Sequence, residues 1–128
     1  MVDIIVKKSK IQGKGVFANR NFKKGEVVID WSKCSEILSK EEFEKLSENE
    51  QRYVSLIDGK YVHFFSPARF VNHSCNSNTK AINKCDTAIK NIKKGKEITA
   101  NYLYEKVPNL NMKCYCESKN CKGIIKTI

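Results

Sequence analysis

The segment ARFVNHSCNSN at residues 68–78 holds one arginine, one histidine, one cysteine, two serines and three asparagines directly behind an aromatic run. An ordinary surface loop does not need so many hydrogen-bond donors and acceptors in so short a stretch. Two interpretations fit this density: a buried polar network whose groups satisfy one another, or a binding site. The rest of the chain decides between them.

Short runs of β-branched and aromatic residues recur on both sides of this segment and predict a mostly β fold. A single helix is predicted from Ser39, because this serine and Glu42 form a capping box. Phe43, Leu46 and Tyr53 would give that helix an apolar face. The predicted strands are 4–6, 26–31, 61–65, 79–82, 87–92 and 97–103.

Two similar segments, NFKKGE at 21–26 and NIKKGK at 91–96, place a glycine after two lysines just before a strand. Glycine adopts positive φ without a Cβ penalty, so both are predicted to be turns. A length of 128 residues with 41% hydrophobic residues fits one compact domain. Apolar runs of about five residues fall far short of the ~20 needed to span a bilayer, and no secretory signal is apparent, so we expect an intracellular protein without membrane association.

The formal net charge of +10 is compatible with an acidic partner such as nucleic acid. Most of the basic residues are lysines, however, and lysine commonly covers solvent-exposed surface without any partner. Charge alone therefore does not identify a ligand. The region of the predicted helix, residues 39–53, differs from the rest because acids outnumber bases there.

Three cysteines, Cys114, Cys116 and Cys121, lie within eight residues near the C-terminus. A disulfide between such close neighbours would be strained, whereas closely spaced thiolates are typical of a structural zinc site. Such a site requires four ligands. Spacing leaves Cys34, Cys75 and Cys85 open as the fourth, and three free thiols remain the alternative.

Two further segments complete the pattern. Gly13-Lys14-Gly15 follows an apolar strand but precedes no helix, which excludes the dinucleotide-binding motif and leaves a tight turn or a close backbone approach to a ligand. Alternation along the strand at 97–103 continues past its end, placing Ala100, Tyr102 and Tyr104 on one face, where the tyrosines either pack in a core or line a site.

In this order the four segments resemble the SET-domain protein lysine methyltransferases, and the resemblance covers about residues 4–125. It implies a SET-domain fold of several small curved β-sheets with a short helical insert at about 32–60 and a C-terminal pseudoknot. It also divides the chain into a SET domain at 1–107 and a post-SET zinc-binding tail at 108–128 that belongs to the same unit. Among the three candidates for the fourth ligand of one structural Zn²⁺, the resemblance selects Cys75, to join Cys114, Cys116 and Cys121.

The resemblance further implies transfer of a methyl group from S-adenosylmethionine to a lysine of a protein, with Tyr102 as the catalytic tyrosine. The lysine channel would be lined by Trp31, Tyr61, Ala100 and Tyr104. The residues expected to hold the cofactor are Gly13, Lys14, Gly15, Arg69, Phe70, Asn72, His73 and Tyr115.

The chain departs from the family at Ala100, where many members carry a Phe or Tyr that limits the number of methyl groups added, and at Asn101, where an Asp is often found. We expect a protein or peptide substrate such as a histone, attracted by the acidic residues between Glu41 and Glu50. Such an enzyme would work in the nucleus on chromatin in a eukaryote, or in the cytoplasm of a prokaryote. Nucleic-acid binding is compatible with this interpretation but not required by it.

Two alternatives remain open at this point. One is a zinc-stabilised basic module that binds nucleic acid without catalysis, which would explain the charge and the cysteines but not the segment at 68–78. The other is a SET fold that binds cofactor or peptide without transfer, although Asn72, His73 and Tyr102 argue against it.

Overall fold

A computed structural model describes residues 2–103, 111–116 and 118–126. The two helices among these residues are short, α1 at Lys40–Glu44 and α2 at Glu48–Gln51, and single 3₁₀ turns occupy Trp31–Lys33 and Ala68–Phe70. The strands are β1 Ile4–Lys8, β2 Lys14–Ala18, β3 Val27–Asp30, β4 Ser35–Leu38, β5 Val54–Ile57, β6 Lys60–Phe64, β7 Asn72–His73, β8 Thr79–Ile82, β9 Cys85–Ala88, β10 Glu97–Ala100, β11 Asn111–Lys113 and β12 Ile124–Lys126.

These strands form several small sheets, which confirms the predicted mostly β architecture. The sheets have the orders β1-β2-β10-β7, β3-β9-β8, β4-β6-β5 and β11-β12. Strands β7 and β10 run parallel, with Asn72 opposite Thr99 and His73 opposite Ala100. This pairing places the segment at 68–78 directly beside the strand that leads to Tyr102.

One hydrophobic core joins three of the sheets. Val16, Phe22 and Ile98 are almost completely buried in it, and Trp31 and Phe64 pack in the same cluster. Apolar burial of this kind is the main source of folding stability. The sheets therefore form one packed unit.

The C-terminal strands pack separately, around Ile125 and Cys114. Partly buried neighbours of that small cluster include Cys75, Tyr102 and Met112. The tail is thus attached beside Tyr102. The chain from residue 104 to 110, where the expected pseudoknot would thread, lies outside the described residues, and the division at residue 107 stays a prediction.

The capping box predicted at Ser39 is present, since its hydroxyl accepts from the Glu42 amide at 3.1 Å and Glu42 Oε1 accepts from the Ser39 amide at 3.0 Å. The prediction of one helix reaching Tyr53 is wrong. Ser47 caps a second helix by accepting from the Glu50 amide at 3.2 Å, and a serine that bonds the backbone in this way favours a helix start over a helix interior.

The two lysine-glycine segments are turns, with φ of 95° at Gly25 and 93° at Gly95. Each braces the other: the Phe22 and Ile92 amides donate to each other's carbonyls, both at 2.8 Å. The Asn91 side chain accepts from the Lys24 amide at 2.9 Å, and Asn21 accepts from Lys94 at 2.8 Å. The strand predicted at 87–92 ends at residue 88 because its last residues enter this paired turn.

Candidate functional site

A cavity of about 570 Å³ opens where the β7–β10 pair meets the Gly13 turn and the helical region. Its volume lies in the range usual for small-molecule and cofactor sites. Many of the residues singled out from the sequence line it, namely Gly13, Lys14, Trp31, Arg69, Phe70, Asn72, Ala100 and Tyr102. Gly15 and His73 lie on the strands that carry this lining, one in β2 and one in β7.

Asn72 organises the Gly13 turn at one end of the cavity. Its side-chain amide donates to the carbonyls of Gln12 and Lys14, both at 3.1 Å, and to Glu97 Oε2 at 2.8 Å. Ser9 completes the arrangement by donating to Glu97 Oε1 at 2.7 Å. The turn is therefore held in shape by hydrogen bonds from outside itself.

The two glycines of the turn are required for different reasons. A Cβ at Gly15 would lie only 2.4 Å from Glu97 Oε2, so the half-buried carboxylate can approach this closely only to a glycine. A Cβ at Gly13 would meet no atom, but the φ of 46° at Gly13 lies in the left-handed region, which residues with side chains disfavour.

Between the two glycines, the ammonium group of Lys14 lies 5.6 Å from the centre of the Phe70 ring.

Tyr102 follows β10 and contacts β7 through three groups. Its hydroxyl donates to the Val71 carbonyl, its backbone amide donates to His73 Nδ1 at 3.0 Å, and its ring centre lies 5.3 Å from the His73 ring. The Ser74 amide donates to the Ala100 carbonyl at 3.0 Å. The segment at 68–78 and the strand leading to Tyr102 therefore meet in one structure.

His73 is 2% exposed, and burial lowers the pKa of its imidazole to about 4, with a smaller contribution from the Lys122 charge. The imidazole is therefore neutral near pH 7, as its role as acceptor at Nδ1 requires. In this tautomer Nε2 carries the proton, and it lies 3.4 Å from Cys75 Sγ. One ring thus links Tyr102 to the cysteine cluster.

The sulfur atoms of Cys75, Cys114, Cys116 and Cys121 all lie within 4.8 Å of one another. The Cys75 and Cys114 sulfurs are 3.9 Å apart, close to the roughly 3.8 Å expected between two sulfurs of a tetrahedral zinc–thiolate site. The backbone amides of Lys122 and Gly123 each donate to a cysteine sulfur at 3.4 Å. Donor set and spacing fit a four-thiolate zinc ion.

Arg69 connects the cavity wall to the helical region. Its guanidinium pairs with Glu50 of α2 and stacks over the Tyr53 ring at 4.0 Å. Glu50 Oε1 also lies 2.9 Å from His63 Nε2, and the hydrogen bond from His63 is the largest of the influences that lower the pKa of this carboxyl. Glu50 is therefore engaged within the protein, whereas Glu48 lines the cavity with an exposed side chain.

A second part of the cavity lining, the channel end, contains the indole of Trp31, which packs edge-on against Phe64 at 4.9 Å between ring centres. Ala100 and the buried side chains of Ser55 and Asp86 line the same region. Asp86 was not among the residues predicted from the sequence. Its signal there is weak, a single acid just before the predicted strand at 87–92, whereas the strand in fact begins at Cys85.

Two tyrosines expected at the site lie away from the cavity, and a third is not described. Tyr61 stacks on Phe43 of α1 at 4.5 Å between ring centres and lies outside the lining. The Tyr115 side chain is 53% exposed and also lies outside it. Tyr104 falls outside the described residues.

The SET domain family model matches residues 13–103 of this chain. Among curated proteins, the chain is 33% identical to the variant-silencing SET domain-containing protein of Plasmodium falciparum over 93% of its length. It is 32% identical over 96% of its length to a Candida glabrata histone-lysine N-methyltransferase, H3 lysine-36 specific, and 30% identical over 95% to the Saccharomyces cerevisiae protein of that description. The chain spans 5% of the first relative and 19% of each of the others.

A crystal structure from Plasmodium falciparum, provisionally assigned as a histone methyltransferase, superimposes with a TM-score of 0.63 at 24% identity. The superposition covers 80% of this chain and 94% of the other. This likeness confirms the expected arrangement of small sheets. Together with the match over residues 13–103, it shows that the chain belongs to the SET domain family.

Proposed function

We propose that this chain transfers a methyl group from S-adenosylmethionine to the side-chain nitrogen of a lysine in a protein. The observation that carries this proposal is a single cavity lined by the Gly13 turn, Asn72 and Tyr102. A transfer between two bound molecules requires mainly that both be held in line, and one cavity that brings the turn and Tyr102 together can hold both.

The turn end is the proposed cofactor site. Gly13 and Gly15 keep side chains out of the turn, so its backbone can approach a ligand closely, and Asn72 fixes its shape. The bound cofactor would supply an electrophilic methyl group on a sulfonium. Lys14, Phe70 and Asn72 line this end, while Arg69, already paired with Glu50, would fix the wall rather than bind through its charge.

Tyr102 is the proposed catalytic residue. Its position is set by the hydroxyl contact with the Val71 carbonyl and by the amide bond to His73. From there the phenol oxygen would orient the attacking amine. The lysine must react as the neutral amine, so its ammonium has to lose a proton to water before the nitrogen attacks the methyl group.

The cysteine cluster would hold one structural zinc ion, because four thiolates leave no open position for a reacting group. Cys75 of this cluster contacts His73 of β7, which in turn bonds Tyr102. The zinc would therefore fix the tail, with Asn111 and Met112, against the cavity that these two residues help to line.

The proposed substrate is a histone, and the proposed place of action is chromatin. The similarity to two histone-lysine N-methyltransferases described as H3 lysine-36 specific supports this class. Glu48, exposed at the cavity lining, would attract a basic peptide during encounter.

None of the helices among the described residues has the length and hydrophobicity that a membrane span requires.

The test is methyl transfer to recombinant histone H3 and to nucleosomes, using labelled S-adenosylmethionine and the full chain purified with zinc. We expect transfer by the wild type and a loss of about a hundredfold or more in kcat for Tyr102→Phe, because the hydroxyl that orients the amine is removed. Tyr61→Phe is the matched control, since Tyr61 lies outside the cavity, and it should retain activity. Cofactor binding without transfer to any histone would contradict the proposal.

A further inference from the structure

Asp86 lies on β9 between two partner strands, opposite Ile29 of β3 and Ala81 of β8. Its side chain is 3% exposed and lines the same cavity as Tyr102 and Ala100. Ionised carboxylates are rarely buried unless they are paired, because burial removes them from water. A carboxyl group at this position therefore needs an explanation.

Within the described chain, the Asp86 carboxyl takes part in no ion pair. The one polar group that favours its ionised form is the Trp31 indole, through a hydrogen-bonding contact. The indole nitrogen is itself buried without a hydrogen-bond partner of ordinary length and angle. The Asp86 carboxyl and the Trp31 indole thus have only each other as polar partners at this end of the cavity, and no cation compensates the carboxylate.

The other acids near the cavity are different. Glu97 is bonded by Ser9 and Asn72, and Glu50 is bonded by His63 and paired with Arg69. Their charges are therefore compensated inside the protein. Asp86 is the one buried acid in the described cavity lining.

We infer that Asp86 is the recognition group for the target lysine: its carboxylate accepts a hydrogen bond from the side-chain nitrogen of the incoming lysine. This inference rests on the proposed function. The ligand must carry N–H donors and positive charge, because the site presents an acceptor with negative charge. It must also have a slim apolar stem, because Trp31, Phe64 and Ala100 form the surrounding wall.

A lysine side chain has these properties. Its ammonium is a compact cation with three donors, and its methylene stem packs well against aromatic rings. The Trp31 ring adds a surface that attracts cations. Ala100 leaves space at a position where a larger side chain would narrow the cavity.

Trp31 is the single tryptophan of the chain, so its fluorescence and its indole N–H resonance report directly on this end of the cavity. The probes are n-butylammonium, which reproduces the end of a lysine side chain, and n-butanol, which is neutral and of similar size. The full chain purified with zinc is titrated with each. We expect the wild type to bind butylammonium about tenfold to a hundredfold more tightly than butanol, as a charge-assisted hydrogen bond provides.

Asp86→Asn should abolish this preference, because it keeps the shape of the side chain and removes the charge. Asp30→Asn is the matched control: Asp30 lies one residue pair away across the sheet, opposite Cys85, but is exposed and outside the cavity lining. The control should keep the wild-type preference. A wild type that binds both probes equally, or an Asp86→Asn protein that still prefers the cation, would overturn the inference.

Two further measurements separate recognition from a structural role. In transfer assays on histone H3, Asp86→Asn should raise KM about tenfold or more while kcat falls less, and its melting temperature at pH 7 should rise, because an unpaired buried charge has been removed. A residue that served stability alone would lower the melting temperature and leave the probe preference intact. Absence of transfer by the wild type together with a clear cation preference would contradict the proposed function but not the recognition of an ammonium group by Asp86.

Discussion

The two ends of the cavity are built in opposite ways. At the turn end, Asn72 and Glu97 are fully engaged in hydrogen bonds within the protein. At the channel end, the Asp86 carboxyl and the Trp31 indole are buried, have only each other as polar partners in the described structure, and are compensated by no cation. The turn end is therefore preorganised before any ligand arrives, whereas the channel end is completed only when a ligand supplies the missing partner.

This difference has an energetic meaning. Hydrogen bonds formed inside the protein stabilise the fold, while buried polar groups without partners each destabilise it by roughly 1 to 3 kcal/mol. The arrangement at the channel end thus lowers the free energy of unfolding, whereas the hydrogen bonds at the turn end raise it. Substitutions at the two ends should consequently change stability in opposite directions.

The largest expected effect comes from removing the proposed zinc ion. Chelation of zinc, or Cys75→Ser, should abolish methyl transfer almost completely, because the tail that carries Asn111 and Met112 would no longer be fixed against the cavity. Transfer activity and zinc content by mass are measured together. Cys85→Ser, a cysteine outside the four-sulfur cluster, is the control, and full activity of a zinc-free protein would contradict the expectation.

Asn72→Ala would break the turn end. It removes three hydrogen bonds and leaves Glu97 with a single side-chain partner, Ser9, so we expect a loss of roughly 3 kcal/mol in unfolding free energy. The affinity for S-adenosylmethionine should fall about tenfold or more, measured by calorimetry. Asn76→Ala, an exposed asparagine of the same segment, should change affinity little.

Asp86→Asn would change stability at the channel end with the opposite sign. Burial raises the pKa of the Asp86 carboxyl from 3.8 to about 6, so the folded protein binds more protons than the unfolded chain between these values and loses stability as pH rises through them. The asparagine variant lacks this loss, so its advantage over the wild type should grow between pH 4 and 7 to roughly 3 kcal/mol. The thiols of Cys34 and Cys85 interact electrostatically with Asp86. Burial raises their pKa values, so both stay neutral between pH 4 and 7 and do not contribute to this change.

Asp30→Asn provides the comparison for this measurement. Hydrogen bonding from the Ser32 amide lowers the pKa of the Asp30 carboxyl, so its contribution to stability is present above its unfolded pKa and disappears in acid. Relative to the wild type, chemical denaturation across pH 4 to 7 should therefore show a clear slope in unfolding free energy for Asp86→Asn and almost none for Asp30→Asn, whose effect falls below pH 4. Equal slopes would mean that the Asp86 carboxyl is compensated.

The smallest expected effects distinguish the two glycines of the turn. Gly15→Ala should destabilise the protein by roughly 1 to 3 kcal/mol and weaken cofactor binding, because the new methyl group would collide with the Glu97 carboxylate. Gly13→Ala should cost about 1 kcal/mol through backbone strain alone, since its Cβ meets no atom. Thermal unfolding of both variants gives the ranking, and a larger loss for Gly13→Ala would show that the approach of Glu97 is not what requires a glycine.

Much of the site could be predicted because its residues lie in short, dense segments. Asn72, His73 and Cys75 are neighbours in one such segment, and Tyr102 ends a clearly alternating strand. Local chemistry of this kind remains visible in a linear sequence. The parallel pairing of β7 with β10 then brings these segments together.

The residues that sequence analysis misplaced depend on distant contacts. Asp86 faces the cavity only because β9 pairs with β3 across more than fifty residues of chain, and no local pattern encodes that register. Tyr61 is drawn away from the cavity by stacking on Phe43 of α1. Both outcomes are set by tertiary packing, which overrides local preference.

The paired turns around Gly25 and Gly95 have a consequence for how the chain folds. Each is completed by an asparagine from the other, across 67 and 73 residues of sequence. Contacts between such remote positions form late, because a long loop must close first. During synthesis, the turn at Gly25 cannot form its hydrogen bonds to Asn91 until the segment around Gly95 has left the ribosome. The two turns look local in the sequence, but they form together.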